Sequence, residues 1–338
     1  MRIKNMKLSQ AGEFGLLKRL ETRLVRQSPA GKGLVVDIGD DAFAAVLPAG
    51  KLLVATKDML VENIHFRRRW IGPAELGYKA MAVNISDLAA MGGAAPTHAL
   101  VGLALPGDIS VDFVDKLYIG FNKACSKYGF RISGGDTVSS SKDIVISITL
   151  LGEIGRNRLI TRSGARPGDL VFTTGCFGDS GAGLYLLEKP SKAVHSYEKK
   201  LVDKHLRPLP RLEAAQRLSA TGYVTSMIDS SDGLAASLGF ICEKSRAGIS
   251  VDTEKISVSK ELLELSFKDR KVSPLRLALA GGEDYELVFT AKPAGLERVK
   301  KAAGDITCIG VVTETKGVKY MTNGTAVKLG FKGYQAFS

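Results

Sequence analysis

The pattern of apolar and polar positions is most informative in residues 75–91, near the middle of the first half of the chain. Residues 75–91 are rich in Ala, Leu, Met and Lys, which are strong helix formers, so the pattern predicts a single helix. Gly92 and Gly93 follow as a left-handed C-cap, and Pro96 prevents continuation. Because residues 80–91 are apolar nearly all round, we expect this helix to be buried.

Two polar residues interrupt the apolar run on one face of the predicted helix. Asn84 and Asp87 are three positions apart, and Lys79, the nearest basic residue, is eight positions from Asp87. A buried carboxylate needs a cation or a proton, which makes a metal ion an attractive partner for Asp87. In the alternative interpretation, Ser86 or Asp87 caps a second, shorter helix and contacts water.

Short strands and helices are predicted along the rest of the chain, in the alternating order of a mixed α/β fold. The strands are expected at residues 34–36, 42–47, 52–56, 98–105, 144–151, 170–174, 225–228, 285–290 and 308–312. The helices are expected at residues 13–25, 111–128, 180–187, 212–220, 234–245 and 296–303, with a turn at 133–137. A Gly/Pro-marked join at 162–169 indicates a boundary just before it, which divides the chain into 1–155 and 156–338.

Composition narrows the class of protein. A chain of 338 residues corresponds to about two domains. The sequence contains no apolar run of about 18 residues, so no membrane span is predicted. The N-terminus lacks the apolar core of a signal peptide, and the four cysteines are widely spaced, so we expect a cytoplasmic protein with reduced thiols. The net charge of +12 permits nucleic-acid binding, but only residues 67–69 and 199–200 cluster, which favours a solvated basic surface.

Acidic residues recur beside Gly, Ser and Thr where predicted strands end. The set is Asp37, Asp40, Asp41, Asp58, Asp87, Asp136, Asp229, Asp232, Glu283 and Asp284. Carboxylates and hydroxyls are hard oxygen ligands that suit magnesium and its phosphate-bearing substrates. The repetition therefore predicts a magnesium site assembled from several loops, although a single Asp-Gly turn means only a turn.

Familiar nucleotide-binding motifs are missing. The sequence has no G-x-x-x-x-G-K-[ST] loop and no protein-kinase H-R-D and D-F-G pair. The glycine-rich segment at 175–183 follows a predicted strand and opens a helix, but its glycine spacing favours a tight strand–helix turn over dinucleotide binding.

Motifs in a fixed order resemble those of the thiamine-monophosphate kinase family over nearly the whole chain. They read GEFGLL, IGDDAF, KDMLVENIHF, YKAMAVNISDLAAMGGAAP, SGGDT, TRSGARPGD, HLRPLPR, IDSSDGL, LAGGEDYELVFT and GFKGYQAF. The family is similar to aminoimidazole ribonucleotide synthetase. The resemblance implies an α/β (α+β) fold of two domains, with an N-terminal mixed-sheet domain that dimerises through its strands into a barrel, a C-terminal α/β domain, and ATP in the cleft between the two.

The resemblance implies ATP-dependent conversion of thiamine monophosphate to thiamine diphosphate. It also implies a homodimer that binds neither nucleic acid nor a membrane, and it assigns roles to individual residues by motif. The expected ligands of several Mg²⁺ ions are Asp41, Thr56, Asp58, Asp87, Asp136, Asp229 and Asp232. The expected ATP contacts are Tyr118, Gly135, Asp136, Arg162 and Ser231. The expected substrate contacts are His65, Glu283 and Tyr334. From the residues alone, His65 also fits a core position, and Tyr334 fits a hydrophobic staple of the C-terminus.

No catalytic general base is expected, because the attacking phosphate oxygen is already anionic and catalysis rests on positioning and charge neutralisation. The chain departs from the family pattern at Lys57, where Ser or Thr is usual, and at Asn63 or Ile64, where Gly is frequent. Strand alternation predicts that Lys57 points away from the site if Thr56 and Asp58 point into it.

Three other functions compete with this one. A selenophosphate synthetase would have a reactive cysteine near its N-terminus, and a hydrogenase-maturation factor would have a cysteine at its C-terminus. The first cysteine here is Cys125, and the chain ends in Phe337 and Ser338. A basic nucleic-acid-binding protein would explain the net charge but not the carboxylate loops.

Overall fold

The structure is a computed structural model that describes residues 34–36, 43–46, 50–189 and 195–330. The helix predicted at 13–25, together with Asp37, Asp40, Asp41 and Tyr334, lies outside the described residues.

The first sheet is built from segments before residue 156. Its strands are β1 (Leu34–Val36), β2 (Phe43–Val46), β3 (Lys51–Val61), β4 (Ala95–Pro106), β5 (Arg131–Ser140) and β6 (Val145–Gly155), in the order β1-β2-β3-β6-β4-β5. Strands β4 and β5 are parallel, and the other neighbours are antiparallel. In β6 the alternate residues Ile146, Ile148 and Leu150 are buried, so one face of the sheet carries a core.

The second sheet is built from segments after residue 169. Its strands are β7 (Leu170–Thr174), β8 (Val224–Asp229), β9 (Gly248–Asp252), β10 (Leu287–Ala291), β11 (Ile306–Thr313), β12 (Gly317–Thr322) and β13 (Thr325–Val327), in the order β13-β12-β9-β11-β7-β10-β8. Strands β9 and β12 are parallel, and the other neighbours are antiparallel.

Nine α-helices lie within the described residues, and three short 3-10 turns accompany them. The helices are α1 (Pro73–Ala90), α2 (Val111–Tyr128), α3 (Asp179–Glu188), α4 (Ser196–Leu206), α5 (Leu212–Ala220), α6 (Leu234–Ser245), α7 (Lys260–Lys268), α8 (Pro274–Ala280) and α9 (Leu296–Ala303). The 3-10 turns are Arg156–Arg158, Thr253–Lys255 and Pro293–Gly295. Among the described helices, none is long and apolar enough to cross a membrane.

Helix α1 lies at the centre of the molecule, as the sequence predicted. It is continuous through Ala90, with Gly92 and Gly93 in the left-handed region, so the alternative of a second helix capped at Ser86 or Asp87 is wrong. Helix α1 packs on α2 and on strands β3 and β6 of the first half, and on α5 and β8 of the second half. Its apolar side chains join a core that includes residues of both halves, and each fully buried Leu or Ile contributes about 1.5–3 kcal/mol.

The SGGDT segment is not a turn, contrary to the sequence prediction. It lies inside the continuous strand β5, at the edge of the first sheet. A Cβ on Gly135 would lie 2.0 Å from the carbonyl oxygen of Val101 on β4, which shows that the glycine is needed for close strand approach. This glycine therefore serves backbone packing between strands and does not mark a turn.

The glycine-rich segment at 175–183 forms the tight strand–helix turn that the spacing favoured. Gly178 has a φ of 89°, and a Cβ there would lie 2.7 Å from the backbone nitrogen of Ala278. A Cβ on Gly183 would lie 2.3 Å from the carbonyl oxygen of Leu201 on α4. These glycines therefore allow α3 to pack closely against its neighbours.

Candidate functional site

A cleft of ≈ 500 Å³ lies where the two halves meet, beside α1. Its walls come from the second half of β3, from the loop after β8, and from the loop of residues 281–285 before β10. Within the described residues, β2 pairs with β3 as far as Ala55, and residues 58–60 of β3 line the cleft. Strand ends and loops thus supply the polar groups, while the helix and the sheets hold them in place.

Consecutive residues of α1 bond to the two halves of the molecule. The Asp87 carboxylate accepts a hydrogen bond from the Thr56 hydroxyl on β3. The Ser86 hydroxyl donates to Asp229 Oδ2 at the end of β8, at 2.6 Å. Asp87 is half-buried at the cleft, so its carboxylate is not sealed in the core as the apolar pattern suggested.

Asn84, one turn before Asp87, has a structural role. Its amide nitrogen donates to the Ala80 carbonyl oxygen at 3.0 Å, and its Oδ1 accepts the Asp58 amide at 3.2 Å. The fully buried side chain therefore connects α1 to β3 and sets the height of Asp58 at the cleft wall.

Four of the predicted metal ligands line the cleft together: Asp58, Asp87, Asp229 and Asp232. Within the described ranges, no group of three or more His, Cys, Asp or Glu side chains is close enough to form a cation cage by itself. Magnesium usually takes only one or two carboxylates and completes its coordination with waters and substrate phosphates. The carboxylate and hydroxyl donors therefore fit magnesium held jointly with a polyphosphate, and not a site made wholly of protein.

Glu283 reaches the cleft from the loop before β10. Its backbone has a φ of 55°, in the left-handed region, and its amide donates to the Ser231 carbonyl at 2.6 Å. Lys79 Nζ, from α1, donates to Glu283 Oε2 at 2.8 Å. Burial alone would raise the pKa of Glu283, but the Lys79 ammonium is the largest opposing contribution and the net effect is a lowered pKa, so the group is a carboxylate.

His205, at the end of α4, lies behind Glu283. Burial and the neighbouring Lys79 ammonium lower the pKa of His205 to about 4, so the imidazole is neutral near pH 7. Its Nδ1 lies 3.2 Å from Glu283 Oε2 and 3.0 Å from Ser180 Oγ.

The other predicted cleft residues are also in place. His65 Nδ1 accepts the Val61 amide at 3.0 Å, which orients the ring in the turn after β3, at the cleft and not in the core. Ser231 is exposed in the loop after β8. The Arg162 guanidinium lies 5.2 Å from the Phe240 ring centroid, which stacks the arginine at the cleft wall.

Three predicted ATP contacts are not at this cleft. Gly135 and Asp136 lie on β5, three strand positions from β3 in the sheet order, and Tyr118 packs edge-on against Phe121 on α2. The register places Asp136 beside Gly102, and Gly102 beside Ser147 of β6. The exposed Asp136 therefore lies on the open face of the first sheet, opposite to the face that α1 covers.

The Lys57 side chain bonds to the open face of the first sheet, as strand alternation predicted, although the residue also lines the edge of the cleft. Its Nζ donates to Ser147 Oγ at 2.6 Å, and Ser147 belongs to the open face of the first sheet. Asn63 has a φ of 67°, in the left-handed region that favours glycine and that Asn tolerates.

Sequence reasoning missed several cleft residues, among them Trp70, Arg67 and Tyr285. The Arg67 guanidinium stacks 4.1 Å from the Trp70 ring centroid. Burial, and then the neighbouring carboxylates, raise the pKa of Tyr285 well above its usual value, so its phenol keeps the proton. Of these residues, only Arg67 belongs to a recognisable charge cluster, the three consecutive arginines, and that cluster favours a solvated surface from sequence alone.

Two further carboxylates, Glu286 and Asp284, have structural roles. In HLRPLPR the last residue, Arg211, donates two hydrogen bonds to the buried Glu286 carboxylate, at 2.6 and 2.5 Å. Glu286 also accepts the Thr174 hydroxyl at 2.6 Å, so this pair fixes α5 to the second sheet. Asp284 accepts the Gly178 and Ser180 amides, and burial raises its pKa to about 8.

Comparison with known proteins gives consistent matches. Residues 39–154 match the family described as AIR synthase related protein, N-terminal domain, and residues 166–323 match the corresponding C-terminal domain family. The thiamine-monophosphate kinase of Aquifex aeolicus (strain VF5) is 39% identical over 313 residues, which cover 93% of this chain and 95% of that protein. That of Escherichia coli (strain K12) is 37% identical over 336 residues, covering 97% and 98%.

The solved structures agree. A structure described as AaThiL complexed with AMPPCP and TMP has a TM-score of 0.85 and 36% identity, and the match covers 98% of this chain and 99% of that one. The hydrogenase maturation protein HypE of E. coli has a TM-score of 0.69 at 18% identity, a level that shows a shared fold alone.

Proposed function

Because the chain belongs to the thiamine-monophosphate kinase family, we propose that it transfers the γ-phosphoryl group of ATP to thiamine monophosphate, which gives thiamine diphosphate and ADP. The observation that carries the proposal is the cleft at the junction of the two halves. Four aspartates, Arg162, His65 and Glu283 line this one cleft. The resemblance assigns the aspartates to magnesium and the other three residues to the two substrates.

The chemistry needs little from protein acids and bases. An oxygen of the thiamine monophosphate phosphate group attacks the γ-phosphorus, a P–O bond forms, and the bond from the γ-phosphorus to the β,γ-bridging oxygen breaks in line. The nucleophile is already anionic at neutral pH, so no general base is required. Catalysis then rests on alignment of the two substrates and on stabilisation of the charge that accumulates between them.

The carboxylates provide places for counter-charge. Asp58, Asp87, Asp229 and Asp232 would hold magnesium ions together with the phosphates, aided by the Thr56 hydroxyl, and Asp41 joins the proposed set. Bound magnesium would supply the positive charge that lets two phosphate groups approach each other. Arg162 and Ser231 would contact ATP from the cleft wall, where the arginine also neutralises phosphate charge.

Substrate recognition falls to the other end of the cleft. The ionised Glu283 complements the cationic thiazolium or the aminopyrimidine of thiamine monophosphate, and His65 contacts the same substrate. We assign Tyr334 to a stacking role against one of these rings.

We further propose a homodimer that completes each cleft with residues of a second copy. The open face of the first sheet exposes Met59 (49%), Leu100 (43%) and Val138 (52%), an apolar surface suited to burial. Asp136 lies on this same face, away from the cleft of its own copy. A second copy packed on the face would bring its own Gly135, Asp136 and Tyr118 to the cleft, with 1–155 as the dimerising domain and 156–338 as the other.

The test is product formation by the purified protein. Incubation with ATP, magnesium and thiamine monophosphate is expected to give thiamine diphosphate, identified by chromatography, and removal of magnesium by a chelator is expected to stop it. Thiamine, which has no acceptor phosphate, serves as the control substrate. Folded protein that leaves thiamine monophosphate unchanged overturns the proposal.

A further inference from the structure

A buried lysine of the first half contacts the proposed substrate carboxylate of the second half. The Lys79 side chain, on α1, is only 1% exposed, whereas Glu283 is 25% exposed and faces the cleft. Lys79 Nζ donates to Glu283 Oε2 at 2.8 Å and to the His205 carbonyl oxygen at 3.1 Å. The ammonium thus sits behind the carboxylate, on the side away from the cleft.

A buried lysine is costly unless its charge is compensated, and packing alone would be served better by an apolar residue of similar size. Arg211 and Glu286 form a second half-buried ion pair, but Arg211 does not line the cleft. The Lys79–Glu283 pair differs because its acidic member is open to a ligand. Its position suggests a role in binding as well as in folding.

We propose that Lys79 is a positioning residue for substrate recognition, which keeps Glu283 ionised and oriented toward a cationic heteroaromatic ligand. This inference rests on the proposed function for the identity of that ligand. Glu283 also has a left-handed backbone, a strained conformation for a non-glycine residue that persists when its surroundings hold it in place. Lys79 and the Ser231 carbonyl hold the two ends of the residue, its carboxylate and its amide.

The charged and titratable groups around Glu283 determine the electrostatic environment of its carboxylate. Lys79 faces it from α1, His205 from the end of α4, His65 from the turn after β3, and Tyr285 follows it two residues later. His205 has a pKa of about 4, and the Tyr285 pKa is raised well above its usual value, so both are neutral near pH 7. Lys79 is therefore the permanent cation in contact with Glu283 among the described residues.

Removal of Lys79 charge should make substrate binding depend on pH. In Lys79→Met the burial of Glu283 is no longer offset, so its pKa rises and the carboxyl takes up a proton as the pH falls. A protonated Glu283 no longer attracts a cation, so the affinity for thiamine monophosphate should fall toward low pH and recover toward high pH. In the wild type the pKa of Glu283 is lowered, so its carboxylate adds no pH dependence to that of the substrate phosphate, whose second pKa is about 6.

The experiment compares KM for thiamine monophosphate and for ATP between about pH 6 and 8.5, a range that spans titration of a raised carboxyl pKa. At the low end, Lys79→Met should raise KM for thiamine monophosphate about tenfold and KM for ATP less than about twofold. Arg211→Met is the matched control, since it breaks a half-buried ion pair away from the cleft and should leave both pH profiles as they are in the wild type. Equal, pH-independent losses for the two substrates in Lys79→Met would overturn the proposal.

A double variant keeps the test decisive if Lys79→Met folds poorly. Lys79→Met with Glu283→Gln removes both charges, so it should fold better than the single lysine variant and bind thiamine monophosphate as Glu283→Gln alone does. A further loss of affinity in the double variant would assign Lys79 a role independent of Glu283 and contradict the inference. Wild-type protein that fails to phosphorylate thiamine monophosphate contradicts the proposed function instead; calorimetric binding of that compound at the two pH extremes then decides the role of Lys79.

Discussion

The Ser86 hydroxyl on the central helix donates to Asp229 Oδ2 across the junction of the two halves, at 2.6 Å. Its neighbour Asp87 accepts from Thr56 on the first sheet. One turn of helix therefore fixes carboxylates of both halves at a single cleft. A small displacement of either half would separate them, and in phosphoryl transfer such displacements are costly because alignment carries much of the rate.

Asp87 gives the first prediction. Asp87→Asn should lower the turnover rate at least about 100-fold, because it removes a charge that attracts cations to the phosphates. The fold should survive, since the amide oxygen of Asn can still accept the Thr56 hydroxyl. Steady-state rates and circular dichroism check both parts. Asp112→Asn, an exposed position on α2, is the control, and near-normal activity of Asp87→Asn at limiting magnesium would contradict the metal assignment.

The substrate end of the cleft gives the second prediction. Glu283→Gln and Tyr334→Ala should weaken thiamine monophosphate binding more than ATP binding, by about tenfold for the glutamate. Isothermal titration calorimetry with each ligand measures the difference. Equal losses for the two ligands would show that these residues serve the structure and not the substrate.

Lys57 gives the third prediction. Because its ammonium bonds to Ser147 on the open sheet face, Lys57→Thr should leave the magnesium midpoint of the rate within about twofold of wild type. Rates measured across a magnesium titration provide the test. A clear shift of the midpoint would mean that Lys57 reaches the phosphates, against the face on which the structure places it.

The dimer gives the fourth prediction. Asp87→Asn and Asp136→Asn should each be inactive alone, but a mixed dimer isolated with two affinity tags should recover about half of the wild-type rate. One of its two clefts would then combine the intact Asp87 of one copy with the intact Asp136 of the other. A mixed dimer of Asp87→Asn and Asp229→Asn is the control and should stay inactive, because both residues line the cleft of one copy. No recovery in the first pair would contradict completion of the site by a second copy.

Local patterns predicted the elements near the site and missed what depends on distant contacts. The helix at 75–91 was predicted within two residues of α1, because propensity, burial and the two glycines agree there. SGGDT was misread as a turn, since its glycines serve an interstrand approach that only the sheet reveals. The bond between Lys79 and Glu283 joins residues 204 positions apart, and no periodicity signals such a pair.

Some of the predicted site residues meet at the cleft, and others lie elsewhere in the fold. Residues in sharp motifs, such as Asp58, Asp87 and Asp232, meet at one cleft. Asp136 comes from an equally sharp motif but lies on β5, away from this cleft, because a motif fixes residue identity and not position in the fold. Helices α4 and α7 were missed, since their apolar positions alternate with charged residues over only two or three turns. Helix α8 was missed because it has only 7 residues and begins at a proline.

Transfer of label from ATP tests the central claim most directly. With ATP labelled in the γ-phosphate, the purified protein should convert thiamine monophosphate to thiamine diphosphate that carries the label in its terminal phosphate, with one ADP formed for each product molecule. Label that stays in ATP or appears only as free phosphate, with folded protein and magnesium present, would contradict the account.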